Sequence, residues 1–538
     1  MRSSAVHLCA LAAIAVPTLS APAQWVTDPF VNTPVVQTSG DQDVIKLGVC
    51  PDASSWVGWF DFQTGGIQVR VQRLNAHGET TFPAPGLLVS DHPQDTFVVD
   101  WDLRSDASGN CMLTFVDTRN GGDFDVYAYL IAPDGTFLWG PDGVAISDND
   151  EFEADPRIIQ NTNGDYLVVW PRFDVNPGLY VQRLNAAGEI QLAPGGVRFV
   201  GDGTAEPAFV ELIPETDGDF LAVWVRDTAT FASPRYLDTG RYTADGVPSA
   251  AWHVSPITVT NAISVPITHR PRIVPFNLGG AVIAWHDTRD GDFHCYVQRI
   301  LPTGAYAFVP NGMSVSLEAG RQQLDPALAM DPNTNRITVF YRNTDSLQNI
   351  QGINAQQIHP TSAARQFGPN GVNLVPYDNQ YDGPPRAVKC LGGVAALVET
   401  QPGSSVGNFD GVLKLLRFQG DGTLIDGAPL DICSLLSGKG RLSLAPAPGG
   451  AVIAAWTDDR NANVDVYAQR VNSDGTLGIE PCLPDLAVPF GQLDFSDVVA
   501  FLIAFSGMDP AADFAPPEGV FDFSDVLAFL LAFSAGCP

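Results

Sequence analysis

The sequence predicts an all-β chain in which about eight four-stranded blades close into a β-propeller, followed by a small two-helix module. Three observations predict it. A pattern of about 57 residues returns along most of the chain, each copy holds short β-like runs separated by glycine turns, and the composition changes abruptly near Cys482.

Composition bounds the alternatives. The chain has 538 residues, 60 acidic against 29 basic, and a formal net charge of −31. With 45% hydrophobic residues it is neither disordered nor collagenous. The acid excess repels phosphate backbones, so nucleic acid is not an expected partner. Residues 1–23 read as a signal peptide: Arg2 is the positive end, Leu8 to Leu19 the apolar run, and Ala21-Pro22-Ala23 the cleavage site. Lipid attachment at Cys9 would lack small residues before it. No later run reaches the ~18 apolar residues of a membrane helix, so the mature chain is expected to be secreted, with no transmembrane helix.

The repeat fills residues 25–480. Its clearest copies are Ala281 to Arg289 and Ala451 to Arg460, and its anchors fall at Trp59, Phe115, Trp170, Trp224, Trp285, Phe340, Val398 and Trp456. In one copy Pro156 to Ile159 runs through Asn163-Gly164 into Tyr166 to Trp170 and then Leu179 to Leu184; a fourth run appears as Gly312 to Ser316 or Gly371 to Val375. Four antiparallel strands at this period make one propeller blade, which must stack on its neighbours to bury its faces. Eight copies predict eight blades, with seven as the alternative count and a row of β-sandwiches as the competing fold. The chain opens on a fourth-strand piece, Pro34 to Thr38, and the last copy ends on its third strand, so the two ends are expected to complete one shared blade.

Asp117 and Arg119, Asp287 and Arg289, and Asp458 and Arg460 occupy matching places. A catalytic pair is needed once, whereas a bidentate pair that fixes a hairpin end is useful in every blade, so these read as structural. Trp139 and Trp252, at loop tips, are the candidates for sugar stacking. The sequence holds no zinc-protease helix, nucleophile elbow or phosphate loop, and His286 and His294 beside Asp287 do not make a metal site without further ligands. No catalytic residue is assigned. A polysaccharide or protein ligand is expected on the loops, for instance residues 227–238.

Residues 482–538 contain no Lys or Arg and hold a duplication: Gly491 to Leu502 matches Gly519 to Leu530 at an interval of 28. Each copy reads as a turn and a short apolar helix, with Asp494 and Asp522 as N-caps and Asp497 and Asp525 three places on. The duplicated Asp-Phe-Ser-Asp-Val segment and the closing Gly536-Cys537 resemble dockerins of the GC type. That resemblance implies docking onto a cohesin-like or cell-envelope partner, display at the bacterial cell surface, and calcium loops. Asp485 and Asp513 would be first ligands and Asp497 and Asp525 last ligands, although Ala487, Pro489 and Phe490, or Ala515 and Pro517, stand where oxygen donors belong. Helix capping accounts for the same aspartates without an ion. Cys482 and Cys537 bracket the module, and a disulfide between them would close a loop worth ~4 kcal/mol. The expected function is an exported binding or scaffolding protein attached through this module, with a polysaccharide-acting enzyme as the alternative.

Overall fold

The computed structural model describes residues 25–535 except 64–65, 93–99, 122, 174–176, 202–204, 228–233, 253, 263–264, 267–269, 403–409, 479–483, 488–492 and 516–518. The signal segment, half of the 227–238 loop, Cys482 and Cys537 therefore lie outside the described residues, and the cysteine pairing with them. Among the described residues, Cys50, Cys111, Cys295, Cys390 and Cys433 are buried free thiols.

Six separate four-stranded antiparallel sheets cover 41–90, 102–145, 157–200, 206–260, 272–314 and 322–378, which we number blades one to six. A seventh sheet has eight strands and holds two blades. They share one 17-residue strand, Leu430–Pro446. Its first half pairs with Asp410–Phe418 as the outermost strand of blade seven, and its second half pairs with Val452–Asp458 as the innermost strand of blade eight. Gly438 sits at the joint, where a Cβ would lie 2.5 Å from Asp459 Oδ2.

Blade eight is completed from the other end of the chain. Thr33–Val36 pairs with Asp465–Val471, setting Thr33 opposite Ala468 and Pro34 opposite Tyr467. The shared-blade expectation holds, and the count is eight. The cores agree: eight apolar clusters each join two successive blades. One of them unites Trp25, Val35 and Val36 with Ile453 and Ala455 of blade eight and Ile45, Val57 and Trp59 of blade one.

Stacking explains the sequence pattern. A blade has neighbours on both faces, so its second strand is mostly apolar rather than alternating, and Cys111–Asp117, Ala281–Asp287 and Val452–Asp458 are buried at every residue. The register moves one anchor: in copy six, Tyr341 rather than Phe340 takes the tryptophan position, opposite Asn354 as Trp285 is opposite Tyr296. A pair of adjacent aromatics hid that shift.

The loop-tip tryptophans are corrected as well. Trp139 and Trp252 are 6% and 4% exposed and belong to inter-blade cores. Trp139 lies against Gly188 of the next blade, Trp252 against Gly304, and Trp25 against Gly78, each glycine at a φ of +80 to +89 where a Cβ would fall 2.6 to 2.8 Å from the indole. Each aromatic latches one blade to the turn of its neighbour. None is presented to a sugar.

At the C-terminus, α1 (Phe495–Ser506) and α2 (Phe523–Ala535) meet through Phe501 and Phe529, whose rings stack at 4.0 Å. No helix among the described residues is long and apolar enough to cross a membrane.

Candidate functional site

Where the blades agree, the residues hold the fold. Arg119 donates from Nε to Asp117 Oδ1 at 3.0 Å and from Nη2 to Oδ2 at 2.6 Å, stacks 3.6 Å over Tyr127, and donates from Nη1 to the Asp142 carbonyl. Arg289 repeats this on Asp287, Tyr296 and the Asn311 carbonyl, and the Arg460 guanidinium reaches Asp458 through Nη2 alone, stacks over Tyr467 and donates to the Val31 carbonyl. Each arginine ties the end of the second strand to the approach of the outermost strand. In blade eight that strand comes from the N-terminus. The indole N–H groups of Trp285 and Trp456 add a further donor to Asp287 and Asp458. Burial alone would raise the Asp458 carboxyl, yet Arg460, Lys439 and these donors hold it down at about 2.

The sequence motif misses related pairs that use other partners. Two residues past the anchor, Asp61 pairs with Arg70 of the adjacent strand at 2.9 Å, while Arg172 and Arg226 reverse the sign and pair with Glu153 and Asp238 at 2.8 and 2.6 Å. The signal was a charge at anchor-plus-two in every one of these copies.

Where the blades disagree lies the axial channel. The pairing register puts Lys46, Asp102, Arg157, Glu211, Arg272, Ala327, Arg386 and Ser443 at one equivalent position, each opposite the residue before its blade's anchor. No two successive blades place the same residue there. Five of the innermost strands carry a left-handed residue two places earlier: Val44, Asp155, Phe209, Asp325 and Arg441, with φ of 44 to 54°. Bulges of this kind redirect side chains and gather at functional sites. The channel encloses a cavity of about 380 Å³ lined from seven of the eight blades, with six cationic side chains against three carboxylates. In a chain of net charge −31 this local excess of cations is unlike the rest of the molecule.

The channel is electrically uneven. On one side Asp100 accepts from Lys46 at 2.6 Å and Arg157 at 2.8 Å, and Arg270 lies 3.3 to 3.4 Å from Asp100, Asp155 and Glu211. Burial would raise Asp100 and Glu211, but these cations outweigh it and hold both carboxyls below their ordinary range. Beside the channel in blade seven the balance reverses. Asp382, almost fully buried, is pushed up to about 6 by burial and by Asp378, against the Thr400 hydroxyl, Arg342 and Lys414. Its neighbour Glu399 is also raised, mainly by burial.

Asp382 gives a pH prediction. Its folded value stands above the usual 3.8, so its stabilising share is complete below pH 4 and is lost as pH rises through about 6. Asp382→Asn, which can still accept from Thr400, is expected to be more stable than the parent at pH 8, by up to ~3 kcal/mol at ~1.4 kcal/mol per pH unit, and no more stable at pH 4. Urea unfolding at the two pH values measures it; an equal effect at both would sink the assignment.

The aspartates of the helical module are taken up by the backbone. Asp494 caps α1, with Asp497 completing the capping box. Asp497, fully buried, accepts from the N–H groups of Leu486, Ala487 and Asp494 at 2.8 to 2.9 Å, and Asp525 does the same for Phe514, Ala515 and Asp522. Asp522 accepts from Ser524 N and Asp513 from Gly519 N. Asp485 is buried beside them. Both oxygens of the two would-be last calcium ligands are thus engaged, and this donor set fits capping rather than an ion. Among the described residues no group of three His, Cys, Asp or Glu gathers as a metal site. His286 accepts from Asp325 N through Nδ1, and His294 Nδ1 lies 2.7 Å from Gln323 Oε1.

No family model and no curated protein matches the chain. Similar solved structures include an ulvan lyase, with a TM-score of 0.41 at 10% identity over 74% of this chain and 95% of that one. Another is the polysaccharide lyase Uly1, at 0.43 and 9% over 82% and 91%. The α-L-arabinanase of Penicillium chrysogenum gives 0.36 and 12% over 85% and 100%.

Proposed function

We propose that the chain is an exported propeller that takes an extracellular polymer at the mouth of its axial channel and is held at the cell surface through a dockerin-like C-terminal module. The observation that carries this is the unrepeated, charged ring of the channel inside a scaffold whose Asp–Arg pairs at the hairpin ends recur in several blades. Repeated chemistry serves folding; chemistry that appears once, in a cavity, is the default place for a ligand. For the module, Phe495, Val499, Leu502 and Ile503 of α1 and Phe523, Leu527, Leu530 and Leu531 of α2 are all exposed, a duplicated apolar face suited to a docking partner.

A second reading, an enzyme acting on that polymer, is supported by Asp382 and Glu399. They are two buried carboxyls of raised affinity for protons, on paired strands at the end of the propeller where the innermost strands begin. Carboxyls of raised proton affinity are acid and base candidates.

The test incubates the full mature chain with insoluble polysaccharides and cell-wall material, following sedimented protein and released reducing ends together. Sedimentation without release is the expected result. Release that disappears in Asp382→Asn and Glu399→Gln would replace it with the enzyme reading, and neither signal would remove the polymer from both.

A further inference from the structure

We propose that the side of the channel carrying Arg272 and Arg386 is a seat for one oxyanion, a carboxylate or sulfate group, and this deepens the reading of the channel as the binding site.

The carboxylates around the channel are already taken. Asp100, Asp155 and Glu211 serve Lys46, Arg157 and Arg270; Asp102 pairs with Arg104 at 2.9 Å, and Asp325 with Arg342 at 2.7 Å. Among the described residues no carboxylate lies within 4 Å of a nitrogen of Arg272 or Arg386. Among the described residues Arg386 donates to the main-chain carbonyls of Leu442, Pro384 and Pro385, each at 3.2 Å. Burial lowers both guanidinium groups, Arg386 to about 10 with Arg272 adding its repulsion against the pull of Asp325. For Arg272 the repulsion of Arg270 is set against the attraction of Glu211, Asp325 and Asp100, none of them in contact with it.

Both arginines are half-buried, and a cation drawn out of water with no carboxylate in contact is costly, the more so beside a second one, so the arrangement favours the entry of a negative group. The neighbouring ring positions make room. At the ring position itself blade six, between the two arginines, places the small Ala327, and blade eight, beyond Arg386, the small Ser443, while Asp325 and Arg441 stand two places earlier and are paired with Arg342 and Asp43. A planar fork of N–H donors on either side of that space suits carboxylate and sulfate oxygens, where a lysine would supply a point charge. The overall charge of −31 gives a polyanion no general attraction, so its binding would depend on this local focus.

The oxyanion could be free or borne on an acidic polymer, and titration calorimetry of the mature chain separates the two. The probes are sodium sulfate and sodium acetate at fixed chloride, alginate as a polyuronate, and dextran as a neutral polymer. Sulfate and alginate are expected to bind. Both affinities should fall at least ten-fold in Arg272→Met and Arg386→Met and stay unchanged in Arg183→Met, whose arginine pairs with Asp165 and Asp245 outside the channel. The methionine variants are expected to melt no lower than the parent in chloride, since each removes a half-buried charge that no carboxylate contacts; Arg272→Lys, which keeps the charge and loses the fork, is a second test with an intermediate affinity. Sulfate binding without alginate binding supports the seat with a free anion as its source and counts against the polymer. Alginate binding that survives both methionine variants overturns the seat while leaving the channel reading in place, and a parent chain that binds none of the anions overturns it outright.

Discussion

Deleting residues 25–38 from the mature chain is expected to abolish cooperative unfolding of the propeller. The segment supplies the outermost strand of blade eight, and it does more than pair. Asn32 donates to the Ile432 carbonyl at 2.7 Å and to Gln469 Oε1 at 3.0 Å, and Ser434 N donates to the Pro29 carbonyl. The Val31 carbonyl receives Arg460, and Gln469 donates to the Val26 carbonyl. Trp25, Val35 and Val36 are buried between blades eight and one, each worth ~1.5 to 3 kcal/mol. Their loss, with the buried donors and acceptors left behind, is of the order of the ~5 to 15 kcal/mol that holds a domain together. Thermal unfolding by circular dichroism measures it. A sharp transition near the parental midpoint would show that seven complete blades suffice, whereas deletion of 482–538 is expected to leave that midpoint where it was.

The second large effect is expected from Asp287→Ala. Asp287 is fully buried and accepts from Arg289 Nε, Nη2 and N and from the Trp285 indole. Removing it leaves a largely buried guanidinium over Tyr296 with no carboxylate and an indole N–H with no acceptor, at a cost of ~3 to 5 kcal/mol. Asp287→Asn retains an acceptor and should lose less. Denaturant unfolding ranks the two, and a loss below ~1 kcal/mol for the alanine variant would mean that the pair is not what fixes the hairpin end.

The blades were legible in the sequence because every copy must bury the same faces. Eight anchors, the glycine turns and the fourth-strand phase of Pro34 to Thr38 all survive as repetition. The slip from Phe340 to Tyr341 arose where two neighbouring aromatics satisfied the pattern equally, and only hydrogen-bond register separates them. Trp139 and Trp252 look like exposed loop residues because what buries them is the neighbouring blade, 47 or more residues away at Ala186 and Gly188 or Gly304.

The channel ring was invisible for the opposite reason. Lys46, Arg272 and Arg386 share a place in space but sit in copies that differ in residue type there, so no repeated residue marks the position along the chain. The paired-charge positions Asp61, Arg172 and Arg226 were hidden in the same way, by a sign reversal or a partner on another strand.

The shared blade also dictates timing. A ribosome makes Thr33 early and Ala468 more than four hundred residues later, so the first strand to appear is the last to find its partner. Until then its paired edge and the apolar faces of Val35 and Val36 have no cover. Blades one to six draw all their strands from one stretch of chain and can form in order as it lengthens. Blade eight cannot, because closing a loop of that length is slow and entropically costly. The final folding event of the ring is therefore the capture of its own beginning.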